Sequence, residues 1–170
     1  MCIRDRAMAD HGVLYKALDS SIINGMKKIC SIADYILPNI SEACFLTDMQ
    51  YKSEYSMEYI QALLEKLYAL GCKNIILTGV EQQNKIRAAF YNGQDKTIIL
   101  KDKVSKSYHG TGDIFSSVIV ANILNGVDIS TSIDDACTFV INSIKETIND
   151  KSHNYGVHFE QTLKNQHFNN

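Results

Sequence analysis

Short apolar runs alternate with longer runs of helical periodicity along this chain, and this alternation limits the possible folds most. The run 74–79 has a continuous apolar centre, typical of a parallel strand covered on both faces, and 35–37 is a shorter run that Pro38 ends. Patterns with apolar residues three or four apart cover 22–33, 40–46, 57–70, 113–125 and 130–148. This order predicts an α/β fold with a mainly parallel sheet and helices on both faces.

A hairpin interrupts the alternation. The strand-like runs 85–91 and 96–101 flank Asn92-Gly93, a strong hairpin signal, and the loop can extend to Asp95. Polar and glycine-rich segments follow both buried strands and the hairpin. Because ligands of such sheets bind beyond the carboxyl ends of the strands, we expect functional residues in these segments.

Composition narrows the class of protein. The 170 residues carry a net charge of −2, with 45% hydrophobic and 21% charged residues, so the sequence indicates neither a nucleic-acid partner nor a membrane span. The five cysteines show no Cys-x-x-Cys spacing; they are Cys2, Cys30, Cys44, Cys72 and Cys137. We expect reduced, packed thiols and a cytoplasmic protein.

The segment Gly110-Thr111-Gly112-Asp113 leads directly into an apolar helical pattern. A Gly-x-Gly turn at a helix start directs free backbone N–H groups towards one point at the positive end of the helix dipole, which favours an anion. A carboxylate at Asp113 could accept the proton of an alcohol that attacks a bound phosphate, which suggests a small-molecule kinase. The alternative is an ordinary junction with Asp113 or Thr111 as the helix cap.

Two other segments have both a structural and a functional interpretation. Asn39 and Glu42 have the spacing of a capping box, but Glu42 could instead hold Mg²⁺, directly or through water. Thr78-Gly79 could simply end a strand, or the Thr78 hydroxyl could contact a nucleotide phosphate.

Two histidine segments are weaker candidates. Asp10-His11-Gly12 is typical of an exposed turn. His109 precedes the glycine turn and could titrate near neutrality, although a single histidine in a loop is usually only solvated.

Four segments in register resemble the pyridoxal kinase family of the ribokinase-like superfamily. They are 7–15 (AMADHGVLY), 33–43 (ADYILPNISEA), 76–80 (ILTGV) and 108–115 (YHGTGDIF). The resemblance implies a three-layer ribokinase-like fold and transfer of the ATP γ-phosphoryl group to the 5′-hydroxymethyl group of pyridoxal, pyridoxine or pyridoxamine. It also implies Mg²⁺, a cytoplasmic location and a homodimer for the full-length enzyme.

The same resemblance assigns roles to individual residues. It implies that Asp113 is the catalytic base, that Gly110 and Gly112 form the anion hole, and that Glu42 lies near the metal. The remaining positions that it implies near the nucleotide and phosphates are Asp10, Asn39, Thr78, Gly79 and Thr111. Leu37 departs from the family pattern, which has a hydroxyl residue before Pro-Asn.

Related functions stay open. Relatives that phosphorylate hydroxymethylpyrimidine often have cysteine at the position of Asp113, so this residue favours a pyridoxal kinase or a sugar kinase. Tyr108-His109 and the run 38–43 favour pyridoxal kinase. The alternative from another class is a non-catalytic remnant that only binds nucleotide.

The amino-terminal end departs from the family. Its members have a longer part before Ala7 and an Asp-Pro pair where Asp5-Arg6 stands. We therefore expect residues 1–6 to be a non-native leader, 7–160 the carboxyl-terminal part of a kinase domain, and 161–170 a tail. Such a fragment would expose a sheet edge and apolar helix faces, so we expect it to aggregate and to lack kinase activity.

Overall fold

The computed structural model describes residues 3–5, 8–82, 85–102, 104, 106, 108–150 and 156–165. The chain forms two compact units, Met1–Leu100 and Lys101–Asn170. The sequence did not predict this division, because no change in composition or glycine- and proline-rich linker marks it.

The first unit contains a five-stranded sheet with the order β1-β4-β5-β6-β7. These strands are β1 (Ile3–Asp5), β4 (Tyr35–Leu37), β5 (Asn74–Gln82), β6 (Lys85–Tyr91) and β7 (Lys96–Asp102). The neighbours β1, β4 and β5 are parallel, whereas β5 and β6 are antiparallel. The predicted α/β class is confirmed, with a mixed sheet.

Three helices and a small ribbon complete this unit. They are α1 (Ser21–Ile32), α2 (Ile40–Thr47), α3 (Met57–Ala69) and the antiparallel pair β2 (Ala9–Asp10) and β3 (Val13–Leu14). The apolar face of α3 enters the core as its periodicity predicts, with Leu63, Leu64 and Leu67 fully buried, whereas α1 buries Met26 and Cys30 but leaves Ile29 exposed.

Local signals account for most element ends. The α3 helix begins after Ser56, whose hydroxyl accepts the Tyr59 amide, and it is followed by Gly71 at φ +96°. In the hairpin loop, the Asn92 side chain accepts the Gln94 and Asp95 amides at 3.0 and 2.7 Å, so the predicted four-residue loop is confirmed.

Strand β5 is longer than its sequence pattern predicts. It continues past Thr78-Gly79 to Gln82, so the interpretation of Thr78-Gly79 as a strand end is wrong. The physical reason is a register shift between Leu77 and Val80 in the pairing with β6, which accommodates Gly79 at φ +70° without ending the ladder.

Both chain ends contain regular secondary structure. Residues Ile3–Asp5, part of the expected leader, form β1 beside β4, while residues 1, 2 and 6 lie outside the described part. Residues 161–165 of the expected tail belong to a helix, and 166–170 lie outside the described part.

The second unit is helical. It contains α4 (Thr111–Leu124), α5 (Ile129–Asn149) and α6 (Phe159–Asn165); α4 packs against α5, and α5 against α6. Its buried apolar residues include Phe115, Ile119, Ile133, Ala136 and Phe139. Within the described ranges, no helix has the length and apolar character needed to cross a membrane.

The prediction of free thiols is confirmed for the four cysteines that the structure describes. Cys30, Cys44, Cys72 and Cys137 are free thiols, and the first three are buried. Cys2 lies outside the described residues.

Candidate functional site

The start of α2 is a complete capping box. The Asn39 side chain accepts the Glu42 amide at 2.9 Å, and Glu42 Oε2 accepts the Asn39 amide at 2.9 Å. The other carboxylate oxygen, Oε1, accepts the Met8 amide at 3.0 Å. Glu42 is only 3% exposed, so this carboxylate joins the start of α2 to the segment that precedes β2. The structural interpretation of the Asn39–Glu42 pair is therefore confirmed.

The same contacts limit how Glu42 could serve a metal. Each of its oxygens already accepts a backbone N–H, although a carboxylate has about four lone-pair sites. Within the described residues, no group of three His, Cys, Asp or Glu side chains is placed to hold a metal ion. Mg²⁺ in kinases needs only one or two carboxylates, with phosphates and waters as the other ligands. Glu42 fits a contact through water better than direct ligation.

Asp10 is a more accessible carboxylate at the tip of the β2–β3 ribbon. Its side chain is 59% exposed, and Oδ1 accepts the His11 amide at 2.9 Å while Oδ2 lies 3.7 Å from His11 Nε2. The Gly12 amide donates to Ser41 Oγ at 2.8 Å, which attaches this turn to α2. The predicted exposed turn is confirmed.

Asn39 is the common neighbour of the predicted positions in this unit. Its Nδ2 donates to Ala9 O at 2.9 Å, next to Asp10, and its backbone forms a parallel bridge with Thr78. The Thr78 amide donates to Pro38 O at 2.9 Å. The structure therefore brings together Asp10, Asn39, Glu42, Thr78 and Gly79 at the carboxyl end of β4, beside the bulge within β5.

Sequence patterns did not reveal the tyrosines that border this group. The Tyr55 hydroxyl donates to Gly79 O at 3.4 Å and accepts the Glu81 amide at 2.6 Å. The Tyr59 hydroxyl donates to Gln50 O at 2.6 Å and lies 3.1 Å from Cys44 Sγ. Burial raises the pKa of the Cys44 thiol and of the Tyr59 hydroxyl, so both stay protonated at neutral pH. The only available signal was the regular spacing of Tyr51, Tyr55 and Tyr59.

The glycine turn belongs to the second unit and opens α4. Gly110 is the N-cap at φ +86°, and α4 begins at Thr111. Because glycine has no side chain, the amides of the first turn receive no side-chain oxygen from this cap, and Asp113 is the third helical residue. The alternative in which Thr111 or Asp113 is the N-cap is therefore wrong.

The space around this turn is open. A Cβ built on Gly110 or Gly112 would meet no described atom of the second unit within 4 Å beyond its neighbours and the helix's own backbone. Gly112, Asp113 and His109 are exposed. The Thr111 hydroxyl donates to Tyr108 O at 3.4 Å. An anion can approach these amides along the helix dipole.

Known proteins similar to this chain are phosphotransferases. The family described as phosphomethylpyrimidine kinase matches residues 8–158. The hydroxymethylpyrimidine/phosphomethylpyrimidine kinase of Aquifex aeolicus is 31% identical over 118 residues, which are 68% of this chain and 45% of that enzyme. This chain spans about half the length of the curated relatives it matches.

Two solved structures extend the comparison. A putative phosphomethylpyrimidine kinase from Bacteroides thetaiotaomicron, crystallised with pyridoxal, is 28% identical with a TM-score of 0.85; the match covers 96% of this chain and 59% of that one. The Staphylococcus aureus pyridoxal kinase in complex with AMP-PCP is 25% identical with a TM-score of 0.72, over 84% and 52% of the two chains.

These matches confirm the expected ribokinase-like α/β fold. They also confirm that the chain resembles a family of kinases, and this family contains both hydroxymethylpyrimidine kinases and pyridoxal kinases. The narrower identification as a pyridoxal kinase does not follow from them, because both kinds of kinase are among the relatives. The chain belongs to the phosphomethylpyrimidine kinase family.

Proposed function

We propose that this chain carries the phosphoryl-transfer site of an ATP-dependent kinase that acts on the hydroxymethyl group of a B6 vitamer. The observation that carries the proposal is the start of α4, where a glycine N-cap leaves the first amides without a side-chain partner from the cap and an exposed Asp113 follows within one turn. Support also comes from similarity to a kinase bound to AMP-PCP and to a structure that contains pyridoxal.

The chemistry assigns one task to each part of this turn. The amides that follow Gly110 bind the oxygens of the transferring phosphoryl group, and donors of this type contribute about 3–4 kcal/mol each in a dry site. The substrate oxygen forms a bond to the γ-phosphorus while the bond to the β–γ bridging oxygen breaks and ADP leaves. Asp113 accepts the proton of the substrate hydroxyl, and it also positions that hydroxyl for attack.

Residues of the first unit are proposed to bind the nucleotide and its metal. Asp10 and Glu42 are the carboxylates that would hold Mg²⁺, Asp10 through its exposed side chain and Glu42 through water. The metal supplies charge neutralisation of the phosphates when bound. Asn39, Thr78 and Gly79 are proposed nucleotide contacts of this unit, and Thr111 is one of the second unit.

The substrate proposal has one close alternative. Asp113 and the segment Tyr108-His109 favour pyridoxal, pyridoxine or pyridoxamine, whereas several relatives are hydroxymethylpyrimidine kinases. Competition between pyridoxal and hydroxymethylpyrimidine for the same Mg·ATP complex decides between them. We further propose a cytoplasmic homodimer, which follows from the family resemblance and the free thiols.

Asp113→Asn tests the proposed base. In a kinase that contains this chain, we expect kcat to fall at least about 100-fold, because the general base is lost, while the Kd for Mg·ATP changes less than about twofold. Asp135→Asn is the matched control, because Asp135 is an exposed residue of α5 whose carboxylate accepts the Asn122 side-chain amide at 2.9 Å. Unchanged kcat in Asp113→Asn would remove the assigned role.

A non-catalytic nucleotide-binding protein is the alternative from another class. It predicts that calorimetry detects Mg·ATP binding while no alcohol among the B6 vitamers, hydroxymethylpyrimidine and sugars stimulates ADP production. ADP production that depends on one of these alcohols would exclude it.

A further inference from the structure

The bulge in β5 places two residues opposite one. Leu77 pairs with Ala89 and Val80 with Arg87, so Thr78 and Gly79 together face a single residue of β6. Such a bulge interrupts the regular ladder and turns the side chains next to it. Gly79 adopts φ +70° at this point, a conformation that residues with a Cβ rarely adopt.

One side chain bridges this irregularity. The Tyr55 hydroxyl accepts the Glu81 amide at 2.6 Å and donates to Gly79 O at 3.4 Å. Both groups belong to β5, one within the bulge and the other two residues later. A single hydroxyl from the loop between α2 and α3 thus uses its donor and its acceptor on the bulged segment.

Thr78, which directly precedes Gly79 in the bulge, is the proposed nucleotide contact. The Thr78 amide donates to Pro38 O at 2.9 Å, and Thr78 forms a parallel bridge with Asn39. These bonds fix Thr78 from the β4 side, whereas Tyr55 fixes the following residues from the α2–α3 loop. The Thr78 hydroxyl itself donates to Pro38 O at 3.4 Å, and the Tyr55 bonds hold the backbone of the bulge that follows it.

We propose that Tyr55 is a positioning residue that holds the β5 bulge so that Thr78 can contact the nucleotide. This inference rests on the proposed function, in which Thr78 binds the nucleotide. Tyr55 acts through the backbone of Gly79 and Glu81 and needs no contact with the nucleotide itself.

Removal of the hydroxyl alone is a mild perturbation. The Tyr55 ring stacks on Tyr59 with centroids 6.2 Å apart and an interplanar angle of 25°, and phenylalanine keeps this packing. Tyr59→Phe is the matched control, because it removes a hydroxyl from the same stack that bonds to Gln50 O and Cys44 Sγ rather than to β5.

The experiment is calorimetric titration with Mg·ADP of a kinase that contains this chain, as the parent and as the variants Tyr55→Phe, Tyr59→Phe, Thr78→Val and Tyr55→Phe/Thr78→Val. We expect Tyr55→Phe, which removes both bonds to β5, to raise Kd about three- to tenfold, and Tyr59→Phe to change Kd less than about twofold. If Tyr55 acts through Thr78, the double variant binds no more weakly than Thr78→Val alone.

Several outcomes overturn the inference. Parent-like affinity of Tyr55→Phe, an equal loss in Tyr59→Phe, or additive effects in the double variant would each show that Tyr55 does not act through Thr78. Failure of the parent chain to bind Mg·ADP would instead contradict the nucleotide site itself, and the inference with it.

A second measurement covers the case in which a variant folds poorly. Amide hydrogen exchange of Glu81 should accelerate in Tyr55→Phe and remain unchanged in Tyr59→Phe, because the hydroxyl of Tyr55, and not that of Tyr59, accepts the Glu81 N–H. Unchanged exchange at Glu81 in Tyr55→Phe would overturn the inference.

Discussion

Glu42→Gln removes the charge from the carboxylate that joins α2 to the segment before β2. In the parent, Oε1 accepts the Met8 amide at 3.0 Å and Oε2 accepts the Asn39 amide at 2.9 Å, and the side chain is 3% exposed. Glutamine has one oxygen and one NH₂ group, so it satisfies one of these amides and presents a donor to the other. One charge-assisted bond is lost, and a backbone N–H is left without its acceptor.

The cost follows from these two changes. A hydrogen bond to a charged group contributes about 1.5–3 kcal/mol, and a buried unsatisfied N–H costs about 1–3 kcal/mol, with overlap between the two. We therefore expect the free energy of unfolding to fall by about 2–4 kcal/mol. For a chain of this size, that corresponds to a decrease in Tm of about 5–15 °C.

Urea denaturation followed by circular dichroism measures this loss, with and without Mg²⁺. The two bonds join the carboxylate to backbone amides, so we expect this loss without Mg²⁺, and any further loss with Mg²⁺ measures the proposed contact through water. Glu65→Gln is the matched control, because Glu65 is exposed on α3 and its carboxylate accepts the Gln61 side-chain amide at 2.7 Å. Its replacement should change stability by less than about 0.5 kcal/mol. A Glu42→Gln variant as stable as Glu65→Gln would refute the role derived for this carboxylate.

Two further predictions concern glycines and pH. Gly110→Ala should lower the free energy of unfolding by about 1 kcal/mol, because Gly110 has a φ of +86°. Gly25→Ala should instead raise it by about 0.5–1 kcal/mol, because Gly25 lies in the interior of α1 with open space around it. Equal effects of the two variants in thermal denaturation would contradict these backbone conformations. Hydrogen bonds from the Thr131 side chain and amide hold the pKa of Asp128 below its usual value, so the stabilisation is present above the usual pKa and is lost as pH falls through the lowered one. Urea midpoints measured from pH 7 to pH 3 should therefore decrease more in the parent than in Asp128→Ala, and parallel curves would contradict this.

Features that depend on neighbouring residues could be predicted from the sequence. The Asn39–Glu42 capping box and the Asn92 loop each involve residues no more than three apart, and the structure has both as expected. The apolar period of α3 likewise predicted which of its residues are buried, because the spacing of a helix fixes its inward face.

Features that depend on distant partners could not be predicted in this way. Thr78-Gly79 was a possible strand end because glycine is rare inside strands, but the partner strand β6 accommodates both residues as a bulge. The charged segment Ile3–Asp5 shows no strand pattern and becomes a strand by pairing with β4. The bonds from Tyr55 to β5 span 24 and 26 residues and leave no local pattern.

The start of α4 explains why a more stable version of this protein would be difficult to reconcile with its proposed task. The helices α2, α3 and α5 begin at Asn39, Ser56 and Asp128, whose side chains accept an amide, and such caps contribute about 1 kcal/mol in general. A capping serine or aspartate requires extended backbone, whereas Gly110 is left-handed, so a single replacement there adds strain without supplying the cap. The stabilisation that a side-chain cap gives α2, α3 and α5 is therefore not available to α4 while its first amides stay open to a ligand, and engineering for thermostability should leave Gly110 unchanged.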